Sequence, residues 1–248
     1  MIEVSKNIVM SAGKKLSEYF EEQNKVILSQ VGRDIKALAD SEIEKFIRAE
    51  LASKFPDEKI LGEELGTANF DDLSGFVIDP IDGTMNFAKG NPIFCISLAY
   101  LDRGEPVWGI LYNPVLKEMI VGFENQVYLN DEKVSVKAPT SSDQAVLATG
   151  IPTKLNIDDT ESFVNYLSVI KKFKKVRMIG SAAQSVGWIG LGRIDAYKED
   201  STMLWDVAAG LAIVKAAGGV YSMQRVDEKS WKYNIRAALS GNLLATLD

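Results

Sequence analysis

The apolar positions of this chain change period along its length, and the changes mark out its elements. Near the start, Val9, Ala12, Leu16 and Tyr19 recur at spacings of three, four and three with Lys and Glu between them, the period of a helix with one buried face. A short segment containing Gly32 follows. Ser41 and Glu44 then read as an S-x-x-E capping box, and Ile43, Ile47 and Leu51 continue on one face towards Pro56, where the second helix should end. That reading puts Asp40 at the mouth of the second helix, where a cap or a favourable charge at the helix dipole is its simplest role.

From 59 to 136 the pattern shifts to short apolar runs. The expected strands are 60–63, 76–79, 94–101, 107–112, 119–123 and 127–129, separated by Asp102-Arg103-Gly104, Asn113-Pro114 and Asn130-Asp131. Their close spacing predicts antiparallel meanders. From 138 strands and helices alternate: strand 145–149, helix 160–171, strand 176–179, a helix opening at Ser181, strand 195–198, helix 204–217 and strand 220–223. The chain therefore reads as α/β in two halves, an α+β half over 1–137 and an α/β half over 138–248, with the switch near Pro139.

Composition narrows the chemistry. The chain has 28 basic and 34 acidic residues, a net charge of −6, which argues against a general nucleic-acid binder. The single cysteine, Cys95, excludes an internal disulfide, and a chain of 248 residues buries enough surface to fold without one. No apolar run is long enough for a membrane span, and residues 1–6 lack a signal peptide's apolar core, so a cytoplasmic location is expected. Histidine is absent. That removes Ser-His-Asp and Cys-His catalysis and every metal site built on imidazole. Acid–base or metal chemistry must come from Asp, Glu, Lys, Tyr, Cys or metal-bound water.

The segment that best carries such chemistry is Asp79-Pro80-Ile81-Asp82-Gly83-Thr84-Met85-Asn86-Phe87, directly after the apolar run Gly75-Phe76-Val77-Ile78. Two acids flank a proline that interrupts a simple strand, Gly83 permits a tight turn, and Thr84 onward begins a helix. Hard carboxylate oxygens suit Mg²⁺, and free N–H groups at a helix start suit phosphate. The other reading is an Asx-type turn with two exposed acids. The acids are three apart, which fits poorly with the D-x-D-x-T signature of aspartyl-phosphate phosphatases. A second piece, Gly62-Glu63-Glu64, ends a short apolar strand and alone would be a solvated pair. A third is Trp205-Asp206-Val207-Ala208-Ala209-Gly210, where Asp206 interrupts an apolar helix. An unpaired buried aspartate is costly; alone, this one reads equally well as a salt-bridge or helix-dipole partner.

Taken in order, the three pieces resemble the inositol monophosphatase superfamily of Mg²⁺-dependent, lithium-sensitive sugar-phosphate phosphatases. Supporting pieces are Gly180-Ser181-Ala182-Ala183, Asp195-Ala196-Tyr197 with Glu199, and Ala217-Gly218-Gly219. The resemblance spans the chain from Asp40 to Gly219. Departures are Met85, where a second Thr is frequent, and Lys215, where an acid is common. The chain is short and without long insertions, like compact members that act on both inositol monophosphate and fructose 1,6-bisphosphate.

The resemblance implies a layered αβαβα sandwich with the site between its halves. It assigns Glu63, Asp79 and the Ile81 carbonyl to a first Mg²⁺, and Asp79, Asp82 and Asp206 to a second. A weaker third would sit near Glu63; Mn²⁺ is an expected substitute. It makes Glu63 and Thr84 orient an attacking water, with Asp40 bonded to Thr84. Gly83 and Thr84 would hold phosphate oxygens, and Gly180, Ser181, Ala182, Glu199 and Asp206 would line the alcohol side. Arg193 is the candidate for a remote phosphate, ahead of Arg177 and Lys198. The expected substrate is a small phosphorylated polyol or sugar, with no nucleic acid or membrane partner, and a homodimer is implied. Other readings are a nucleotide 3′-phosphatase of the same superfamily, which would need a base-binding wall, and a regulatory binding protein that keeps the fold.

Overall fold

The computed structural model describes residues 1–26, 32–66, 70, 72–151, 160–228 and 230–248. Two long helices come first, α1 (Ile2–Val26) and α2 (Gly32–Lys54). Gly32, expected in a break between them, instead opens α2, and residues 27–31 lie outside those described. A seven-stranded sheet follows: β1 (Ile60–Gly62), β2 (Gly75–Asp82), β3 (Cys95–Asp102), β4 (Glu105–Asn113), β5 (Glu118–Phe123), β6 (Gln126–Leu129) and β7 (Glu132–Val134). The strands lie side by side in chain order, with β1 parallel to β2 and the rest antiparallel. A short helix, α3 (Thr84–Ala88), leaves the end of β2.

The second sheet has the order β11-β12-β10-β8-β9, from β8 (Val146–Thr149), β9 (Lys175–Arg177), β10 (Ala196–Met203), β11 (Val220–Arg225) and β12 (Lys232–Ala238). Its helices are α4 (Thr160–Lys171), α5 (Ala182–Gly187), α6 (Leu204–Ala216) and α7 (Gly241–Ala245). Helices α1 and α2 cover one face of the first sheet through Val9, Ala12, Leu16, Ile43, Ile47 and Leu51. Between the sheets lie α5 and α6, and α4 and α7 cover the outer face of the second sheet. The result is the layered αβαβα sandwich.

Helix α6 explains why one helix can separate two sheets. All of its residues except Asp206 and Lys215 are buried, so it has no solvent-facing stripe and packs on both sides. Glycines let it approach closely: a Cβ at Gly109 on β4 or Gly122 on β5 would collide with the α6 backbone at Ala209 and Ile213, and one at Gly210 would strike Val186 of α5.

The capping-box reading of Ser41 and Glu44 is corrected. Helix α2 begins at Gly32 and passes straight through both residues, so Asp40 is mid-helix and fully buried rather than at a helix mouth. Packing decides this: Ala39, Ile43, Ile47 and Leu51 form one wholly buried face, and that burial outweighs the weak preference of Asp and Ser for caps. Pro80 likewise does not end its strand, because β2 continues to Asp82 with a register slip between Asp79 and Asp82. The sequence reading passed over β7, β12 and α7. Strand β12 carried a legible signal, with Tyr233, Ile235 and Ala237 buried in alternation.

Candidate active site

In a regular strand residues three apart point to opposite faces. Asp79 pairs with Ser97 and Asp82 with Cys95, so three steps on β2 match two on β3. This bulge, at a proline that has no N–H for the ladder, turns both carboxylates to one side. Asp206 meets them from the first turn of α6, and carboxylate oxygens of Asp79, Asp82 and Asp206 lie within 4.8 Å of one another. Among the described residues no lysine or arginine forms a salt bridge with any of the three.

Electrostatics record the strain of that arrangement. Two charges at this separation repel by about 3 kcal/mol at an effective dielectric near 20. Burial pushes the Asp79 carboxyl well above the usual carboxylate range, and the negative charges of Glu63, Asp82 and Asp206 push it further. The charge of Glu63 acts on both Asp79 and Asp206, so its carboxylate stands beside the cluster. Burial raises Asp206 likewise, with Asp82 and Glu63 adding repulsion. Asp82 rises only to about 6, because burial is opposed by bonds from Ser181, Ala183 and Ala182.

Those bonds join the first sheet to the start of α5. Asp82 accepts the Ser181 hydroxyl and the backbone N–H groups of Ala182 (3.1 Å) and Ala183 (3.2 Å), so a carboxylate of the first sheet sits on the N-terminus of α5. Ser181 also caps α5 by accepting the Gln184 N–H. Asn86 on α3 adds a second tie, its amide donating to the carbonyls of Ile93 and Ile179, both at 2.7 Å. The third tie is Ser97 on β3, which donates to the Trp205 carbonyl at 3.1 Å and anchors the start of α6. Asp206 itself accepts the Met203 N–H at 3.2 Å.

Around this cluster stand the other residues singled out by the sequence. Ile81 is buried between the two aspartates, its N–H bonded to Asp79 at 2.9 Å. Gly83 takes a left-handed φ of 88° and turns the chain into α3, at whose first position Thr84 stands. Helix α2, which carries Asp40, packs on α3. Glu199 accepts the Tyr197 hydroxyl at 2.7 Å; burial raises its pKa, and its charge contributes to the repulsion felt by Asp206. Gly180, with φ 73°, lies against the Asn86 amide.

Arg193 is not brought to the acids. Its guanidinium makes a two-pronged pair with Glu118 at 2.6 and 2.7 Å and lies over the Trp188 ring. Glu118 is on β5, three strands from β2, or about 14 Å along the sheet. Lys198 bonds the Leu247 carbonyl, and Arg177 is exposed.

Sequence reading missed Glu44, Arg48, Asn86 and Ser97 as site-building residues. Glu44 is fully buried on α2 and accepts the backbone N–H groups of Glu64 (2.8 Å) and Leu65 (3.2 Å). Only its place in E-x-x-x-R, an i,i+4 ion pair with Arg48, marked it in the sequence.

The comparisons with known proteins follow the same lines. Residues 1–244 match the profile described as the inositol monophosphatase family. A protein of Thermotoga maritima named fructose-1,6-bisphosphatase/inositol-1-monophosphatase is 38% identical over 189 residues, covering 76% of this chain and 71% of that protein. The inositol-1-monophosphatase of Bacillus subtilis is 30% identical over 246 residues, 97% of this chain and 91% of its own length. The solved structure of an inositol monophosphatase from Anabaena superposes with a TM-score of 0.82 at 25% identity, over 99% of this chain and 94% of that one. The chain belongs to the inositol monophosphatase family.

Proposed function

We propose that this protein is a divalent-metal-dependent phosphomonoesterase that hydrolyses inositol monophosphate and the 1-phosphate of fructose 1,6-bisphosphate. The observation that carries the reading is the convergence of Asp79, Asp82 and Asp206 within 4.8 Å with no cation of the described protein paired to them. A donor set made only of oxygens suits Mg²⁺ or Mn²⁺. Glu63, Asp79 and the Ile81 carbonyl would hold one ion; Asp79, Asp82 and Asp206 a second; and Glu63 would serve a weaker third. Bound there, the ions neutralise charge on the phosphoryl and leaving oxygens and lower the pKa of water.

The protein's own groups then position and exclude. Thr84 and Glu63 orient the attacking water, and Asp40 reaches Thr84 from α2. The backbone N–H groups of Gly83 and Thr84 hold phosphate oxygens. Glu199 and the Gly180 backbone face the alcohol, while Ser181 and Ala182 act through Asp82, on which they are bonded. No covalent enzyme intermediate is required, consistent with a chain that has no histidine and whose cysteine is buried. The names of the relatives, which join the two substrate classes in one protein, support the dual reading. The active form is proposed to be a homodimer inhibited by lithium, as the resemblance implies, and to be cytoplasmic, as the sequence reading expects.

A phosphate-release panel with Mg²⁺ tests the proposal, using inositol 1-phosphate, fructose 1,6-bisphosphate and adenosine 3′,5′-bisphosphate. Release from the first two is expected. Release from the third alone overturns the substrate reading, and full activity after exhaustive chelation overturns the metal.

A further inference from the structure

We propose that Glu44 and Arg48 are positioning residues that set the affinity of the site for its metal by holding the loop that presents Glu63. The inference rests on the metal-dependent reading above, and it concerns two residues that touch neither the acidic cluster nor a substrate.

The two side chains lie one turn apart on α2 and face the segment 60–66. Glu44 accepts the Arg48 Nε at 2.7 Å and the N–H groups of Glu64 and Leu65 at 2.8 and 3.2 Å. Arg48 spends its remaining nitrogens on the Ile60 carbonyl at 3.2 Å and on the Gly66 carbonyl. Residue 60 precedes Glu63 by three and residue 66 follows it by three, so the pair grips the loop on both sides. From the sheet, the Glu63 N–H is bonded to the Ile78 carbonyl at 3.3 Å. Glu63 is thus the residue between two fixed edges, with its carboxylate against Asp79.

Three features argue that this cradle is built for placement. Glu44 is fully buried, and a buried carboxylate persists only where its partners are well placed. Its charge is matched by Arg48 and by two amide dipoles, so it adds no repulsion that the metal must neutralise. Gly62 is required by it: any Cβ there would collide with the Glu44 carboxylate and lie 2.8 Å from an Arg48 nitrogen. The loop has been brought onto the pair as closely as backbone allows. Groups that orient a metal ligand from behind typically change metal affinity by about 10–100-fold when removed.

The test uses the full chain stripped of metal, with Mn²⁺ and Mg²⁺ binding read by calorimetry and no substrate present. Glu44→Gln should raise the metal dissociation constant by about tenfold, and the rise in melting temperature on adding metal should shrink to match. At saturating metal the KM for substrate should stay unchanged. Glu42→Gln, an exposed neighbour on the same helix, should alter none of these. Arg48→Lys keeps the charge and loses the fork, so its dissociation constant should rise by a smaller factor; it decides the matter if Glu44→Gln does not fold. A lower melting temperature without metal, with a dissociation constant within twofold of the parent, would overturn the proposal and make the pair structural. Because binding is read without turnover, a protein that binds metal through this cradle yet releases no phosphate would refute the phosphatase reading and leave this one standing.

Discussion

Replacing Asp206 by Asn should stabilise the metal-free protein at neutral pH and weaken the metal-loaded one. The substitution keeps shape, and the Asn carbonyl can still accept the Met203 N–H. What it removes is one negative charge within 4.8 Å of two others. Each such pair costs about 3 kcal/mol at an effective dielectric near 20. The cluster relieves part of this by retaining protons, since Asp79 and Asp206 sit well above the usual carboxylate range and Asp82 near 6. A gain of about 1–3 kcal/mol therefore remains to be released, less about 0.3–1 kcal/mol for the charge lost at the N-terminus of α6. For a chain of this size that is roughly 2–8 °C in melting temperature.

The pH dependence follows from the sign of the shifts. A carboxyl whose folded pKa is raised holds its proton longer in the fold than in the unfolded chain, so the stability it gives is full below the ordinary carboxylate range near 4 and is lost as pH rises from there through the raised folded value. The advantage of the variant should vanish below about pH 4, where both forms are protonated. Metal reverses the order, because a ligand at a hundred times its dissociation constant adds about 2.7 kcal/mol, which the variant largely forgoes. Melting curves in chelator and in Mg²⁺ between pH 4 and 8 should cross. A variant that melts below the parent in chelator at pH 7, yet gains as much from Mg²⁺, would refute the account of the cluster.

Other substitutions should separate the roles of neighbouring residues. Asp82→Asn should nearly abolish turnover, and its amide should leave one α5 donor unmatched at a cost of about 1–3 kcal/mol, read by chemical denaturation. Thr84→Ala should lower kcat more than it raises KM in steady-state assays. Glu63→Gln should damage activity far more than Glu64→Gln, and the opposite order would place the ligand one residue off. Arg193→Ala should reduce kcat/KM equally on inositol 1-phosphate and fructose 1,6-bisphosphate, because its guanidinium is committed to Glu118; a loss confined to the bisphosphate would restore it as a phosphate contact.

Much of this architecture was legible because it rests on local pattern. Helix α1, the meander from β2 to β6 and the largely apolar α6 follow from spacing alone, and Asp79, Asp82 and Asp206 stand out as acids set in apolar runs. What the sequence hid was long-range. That Asp79 and Asp82 share a face depends on a register slip against β3, which no pattern on β2 reveals. The misplaced start of α2 came from reading a local cap signal at Ser41 where burial of Ala39 and Ile43 had the larger effect. Glu44 resembled a cap for the same reason, although its partners lie about twenty residues on at Glu64 and Leu65. The pairing of Arg193 with Glu118 joins residues 75 positions apart, and no local pattern reveals it.

The glycines beneath α6 carry a consequence for how this protein can vary. Gly109 and Gly122 bear no chemistry, yet each meets the backbone of the helix that carries Asp206 in its first turn, and Ala209 is about one turn from that aspartate. A surface helix absorbs an added methyl group by sliding outward. Helix α6 has sheets on both sides and no direction in which to yield. A single carbon gained on β4 or β5 therefore passes along the helix axis as a rigid displacement and arrives at the acidic cluster as misalignment. The heritable tolerances of the active centre extend in this way to strand positions that a search for reactive groups would never select.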